Sequence, residues 1–134
     1  SYHHWVNKHL PLRENFLLEK GANIQEEVLK TEARMIEKGL RPSVFFRFPG
    51  LISDDKLFRQ ITSYGLIPVG SDAWLGKSEW PKPGSIVLVH ANGNEQIGIQ
   101  RFLKLIKDEK ENILSKHWLL FDLSASVVEM EKKP

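Results

Sequence analysis

The sequence predicts an α/β chain in which helices alternate with short strands of a parallel sheet. Two observations predict it. Helical stretches with one apolar face alternate with brief apolar runs, Val44–Phe46, Leu66–Val69 and Ile86–Val89. Each run is also followed, at once or within a few residues, by a group able to do chemistry: Arg47, Asp72 and His90. Reactive side chains at the carboxyl ends of parallel strands are the usual layout of α/β enzymes.

The elements follow in order. Residues 1–23 read as irregular. Asn23 is placed as a helix N-cap with Glu26 in the reciprocal capping-box position. Ile24, Val28, Met35, Ile36 and Leu40 then share one helical face, and Gly39 is the stop. Arg41-Pro42 connects to the first strand. Ser53-Asp54-Asp55 opens a second helix with acids at its positive end; Leu57, Phe58, Ile61 and Tyr64 make its inner face, and Gly65 ends it. Residues 71–84 are rich in Gly, Pro and Trp and read as a long loop. Ile86–Val89, fully apolar, suits a strand covered on both faces. After the turn at Asn92-Gly93-Asn94 comes a third helix with Ile99, Phe102, Leu103 and Ile106 inward, then a charged turn over Lys107–Asn112. Trp118–Phe121 is a candidate strand and Ser124–Glu131 a terminal helix.

Composition narrows the function classes. A chain of 134 residues with 41% hydrophobic content suits a single domain with a core. A net charge of +2, from 19 basic and 17 acidic residues, does not point to nucleic acid or to an anionic membrane. The absence of cysteine excludes disulfides and thiolate metal sites but leaves the compartment open. No membrane span or secretion signal is read. No phosphate-cradling glycine loop, zinc-metalloprotease motif or serine-nucleophile elbow is present.

His90 leaves Ser85-Ile86-Val87-Leu88-Val89 directly, and an imidazole at a strand end can donate a proton near neutral pH or simply be bonded into a loop. Arg47 ends an apolar run, where a buried guanidinium needs a carboxylate partner. Ser71-Asp72-Ala73-Trp74 and Trp80 share the loop, where the indoles either stack on a pyranose or pack the loop.

These segments resemble the polysaccharide deacetylases of the NodB-homology type, carbohydrate esterase family four. Arg47-Phe48-Pro49-Gly50 resembles the family's R-x-P motif, and Leu88-Val89-His90 its L-x-H motif. The resemblance implies that Arg47 holds a catalytic aspartate, that the Gly50 N–H binds the oxyanion and that Leu88 lines the acetyl pocket. It makes His90 the general acid, with Asp72 orienting it and Trp74 walling the pocket. Ala73 separates the last two, whereas the family form has them adjacent. At the start, Ser1-Tyr2-His3-His4 is similar to all but the first position of the family's metal motif, which makes His4 a ligand of a divalent metal, zinc by expectation. The remaining ligands and the catalytic base fall in earlier motifs outside this sequence.

The implied fold is part of a distorted (β/α) barrel of parallel strands with its front half missing from this chain. An N-terminal segment, a second chain or self-association would complete it. The implied activity of the complete protein is metal-dependent removal of acetyl groups, N-linked or O-linked, from a glycan in the bacterial envelope or outside the cell. The isolated chain is expected to be inactive. The alternatives are an inactive deacetylase-like module that binds glycan or protein through the Trp74–Trp80 loop, and a purely structural α/β domain.

Overall fold

A computed structural model describes residues 8–90 and 95–131, with side chains as far as Val127. The chain forms two compact units, the first ending at Gly70 and the second starting at Ser71.

The first unit opens with two 3-10 turns, Leu12–Glu14 and Phe16–Leu18, which fill the described part of the irregular N-terminal stretch. Between them the buried Asn15 spends its amide on the Leu10 and Pro11 carbonyls at 3.3 and 2.9 Å. Helix α1 (Ile24–Glu37) begins where expected, with Asn23 Oδ1 accepting the Glu26 N–H at 3.1 Å. The reciprocal half of the capping box is absent, because Glu26 turns instead to Lys30 at 3.0 Å. At the far end Leu40 N–H bonds Met35 O, Gly39 N–H bonds Ile36 O, and Gly39 has φ +71°: a Schellman stop as the sequence predicts. Only the front of α1 is packed. Val28 is buried, with Ile24 and Leu29 beside it, whereas Ile36 and Leu40 are exposed. The apolar stripe outruns the core it serves.

Strand β1 (Phe45–Phe46) pairs in parallel with β2 (Ile67–Pro68), and helix α2 (Asp55–Ser63) is the crossover. Asp54 caps α2, its Oδ1 accepting the Leu57 N–H at 2.7 Å. Leu57 and Ile61 are buried as expected; Phe58 is 47% exposed. The core gathers Leu17, Val28, Phe48, Leu57, Ile61 and Leu66. Both strands are shorter than their apolar runs; Ile67 and Val69 donate to the Val44 and Phe46 carbonyls at 2.8 Å each, and Pro68, between them, offers no N–H to the open edge.

In the second unit β3 (Ala73–Trp74) pairs in parallel with β4 (Val87–Leu88) in the register Ala73↔Val87 and Trp74↔Leu88. β3 corrects the expectation of an unbroken loop over 71–84. Two residues are too few for a periodic signal, and Asp72 supplies what the pattern lacks: its carboxylate accepts from Ser85 Oγ at 2.9 Å and from Ile86 N–H at 2.7 Å. β4 is covered on one face only, since Leu88 is buried and Val87 on the other face is exposed.

Helix α3 (Gln96–Asp108) carries Ile99, Phe102 and Ile106 half-buried, while Leu103, expected inward, is 63% exposed. The charged stretch after it is mostly helix, with α4 (Lys110–Leu114) starting after Glu109. Lys104 and Asp108, one turn apart, form an ion pair that supports the end of α3. Trp118–Phe121 is irregular rather than a strand, and Leu119, Leu120 and Phe121 are exposed. Among the described residues no strand lies beside them to supply a ladder. α5 (Leu123–Glu131) closes the description, with Asp122 Oδ1 accepting the Ala125 N–H at 2.8 Å.

Candidate functional site

Trp74 is the last residue of β3, and His90 lies two residues beyond the end of β4. The strands are parallel and Trp74 is in register with Leu88, so both rings leave from the carboxyl ends. The rings meet edge to face, with centroids 5.4 Å apart and planes at 64°. Leu88 is buried at this strand end, and His90 is partly exposed.

The Trp74 indole is held on several sides. Its Nε1–H donates to both oxygens of Glu95, at 3.1 and 2.9 Å. Its backbone N–H donates to Glu79 Oε2 at 3.0 Å. Lys77 Nζ lies 4.0 Å from the ring centroid, a cation–π contact. Glu95 occupies the N-cap position of α3, yet its side chain caps nothing. The carboxylate instead fills a slot that two glycines leave open. A Cβ at Gly76 would overlap it, and one at Gly98 would stand 3.0 Å from Oε2. Arg101, two turns along α3, donates to the Leu75 and Gly76 carbonyls at 2.8 Å each and fixes the 3-10 turn Leu75–Lys77 against the helix.

Glu95, Arg101, Lys77, Gly76 and Gly98 were not singled out by sequence reasoning. The only trace is the spacing Glu95-x-x-Gly98-x-x-Arg101, which sets the three on one helix face. Many surface helices show such spacing.

Asp72 serves the strand pair. Both carboxylate oxygens are engaged by Ser85 and Ile86, and among the described residues no hydrogen bond joins it to His90. The Ser85 hydroxyl above all, and then the Ile86 N–H, hold its carboxyl below the ordinary value of 3.8. The structure thus joins Trp74 to His90 and gives Asp72 a different partner from the one the resemblance implies.

Arg47 and Gly50 belong to the first unit. Arg47 follows β1 directly and is exposed, so its guanidinium needs no buried counter-ion; among the described residues it has no carboxylate partner. Gly50 sits in the turn Pro49–Leu51 at φ +64°, with the Phe16 ring where a side chain would be. The turn closes through Leu51 N–H to Phe48 O and Ile52 N–H to Pro49 O, and the Gly50 N–H takes no part in that pair. Two depressions in this unit, of about 360 and 200 Å³, are lined by neither residue. His4 lies outside the described residues, and among those described no group of three His, Asp or Glu side chains is placed to hold a metal ion. No family model matches the sequence, and no solved structure matches the chain.

Proposed function

We propose that this chain is the C-terminal portion of a metal-dependent glycan deacetylase, a section of a (β/α) barrel, with His90 as the proton donor to the leaving amine. One observation carries the reading: the Trp74–His90 ring contact at the carboxyl ends of two parallel strands. An imidazole beside an indole wall, at a half-exposed strand end, suits proton transfer to a bound amide nitrogen.

In this reading His4, together with ligands from outside this sequence, would hold a divalent ion, which would supply Lewis-acid polarisation. A catalytic aspartate from outside this sequence takes a proton from water as the water oxygen adds to the acyl carbon, and His90 then gives its proton to the amide nitrogen as the carbon–nitrogen bond breaks, leaving acetate and the free amine. Leu88 offers an apolar surface to the acetyl methyl group. The oxyanion role of the Gly50 N–H rests on the motif resemblance alone. Arg47, exposed and cationic, holds the catalytic aspartate that an upstream segment or a second chain supplies. Asp72 keeps β3 and β4 in register and so keeps Trp74 beside His90.

The test uses the parent polypeptide and an N-acetylated glycan, with acetate as the readout. His90→Ala is expected to lower kcat by about 10²–10⁴-fold with little change in KM, and residues 1–134 alone to release no acetate. Undiminished turnover in the variant, or robust release by the isolated chain, overturns the proposal.

The exposure of Trp80, at 47%, favours one second reading, a glycan-binding module without catalysis. Such a module binds sugar with no metal present and loses affinity on Trp74→Ala and Trp80→Ala.

A further inference from the structure

We infer that Glu95 is the positioning residue of this site, acting on His90 through the Trp74 indole; the inference rests on the reading of His90 as the proton donor. Three observations converge. Glu95 abandons the cap of α3, where a carboxylate is normally well placed, and gives both oxygens to Trp74 Nε1–H. Two glycines, Gly76 and Gly98, leave the space its carboxylate occupies. The indole so held is the ring against which His90 rests. An indole has two side-chain torsions. The β3 backbone fixes the root of the side chain, and the Nε1–carboxylate bond fixes its far end. With both ends fixed, the edge presented to His90 is fixed too. Arg101 makes this chain of contacts rigid, because it fastens the turn carrying Gly76 to the helix that follows Glu95.

The experiment is nuclear magnetic resonance of the 134-residue chain, reading the Trp74 indole N–H and the His90 ring protons. In the wild type the indole N–H is protected from exchange. In Glu95→Ala that protection falls by about tenfold or more, as expected for losing a hydrogen bond to a charged acceptor, and the His90 ring signals shift as the Trp74 ring current moves. Glu95→Gln keeps an acceptor and retains both signals. Gly98→Ala is the variant to use if Glu95→Ala fails to fold, since alanine favours the helix while its Cβ presses on Oε2. It is expected to shift the same two signals.

In the parent polypeptide Glu95→Ala lowers kcat with KM retained, and Glu95→Gln restores it. His90 signals that stay in place in Glu95→Ala, or in Gly98→Ala where that variant replaces it, overturn the inference and leave the deacetylase reading standing. Acetate release that survives His90→Ala overturns the deacetylase reading and leaves the resonance result intact.

Discussion

At the residue scale, the reactive candidates were legible where a single side chain carries the message. His90 after an apolar run and Trp74 in a Gly/Pro-rich stretch announce themselves by type and place, and the structure brings them into contact. Glu95 does not, because its role depends on two glycines, one of them 19 positions upstream, whose meaning is the absence of a side chain. Two predictions belong here. Gly50→Ala places a methyl group against the Phe16 ring at a φ of +64°, so it is expected to destabilise the fold by about 1 kcal/mol or more, read as a lower denaturant midpoint. Asp72 gives the pH dependence. Its folded-state pKa is depressed, chiefly by the Ser85 hydroxyl, so its contribution to stability is present above the unfolded value of 3.8 and is lost as pH falls through the lower folded value. Wild type and Asp72→Ala should therefore differ in stability at neutral pH and draw together in acid. A difference that grew on acidification would contradict the assignment of those two hydrogen bonds.

At the element scale, helix starts were readable because a cap is a local event. Asn23 and Asp54 each bond an N–H three residues on, and nothing distant is needed to foresee it. Asp54→Ala is expected to cost about 1 kcal/mol through loss of the α2 cap, checked by urea unfolding; Asp54→Ser should recover most of it. Strands were less readable, because a strand exists only through its neighbour. Trp118–Phe121 has a strand-like composition and no partner among the described residues, whereas Ala73–Trp74 has little composition and a partner fixed by Asp72. Helix faces were over-read for the same reason. Ile36, Phe58 and Leu103 keep the right period but stay exposed, Phe58 reaching the core through the Phe48 ring.

At the scale of the whole molecule, the mixed α/β class and the parallel pairing were both foreseen, whereas the junction at Gly70–Ser71 was not. The Gly/Pro-rich stretch that starts there reads as a loop within one domain rather than as a boundary. The two units differ in what they bury. The contiguous apolar cluster, including fully buried Ile61, lies in the first, while Ala73, Leu75 and Leu88 are the buried apolar residues described in the second. Amide hydrogen exchange is therefore expected to be slowest along α2 around Leu57–Ile61 and markedly faster through α4 and α5; equal protection in both units would contradict that ranking.

Each sheet has two strands, so among the described residues no strand is flanked on both sides. Each ladder is only two residues long, so main-chain bonding between strands gives them little cohesion of their own. The β3–β4 pair is clasped from outside by a side chain, Asp72. It follows that a β3–β4 defect should arise more readily from altering Asp72 or Ser85 than from exchanging one apolar strand residue for another.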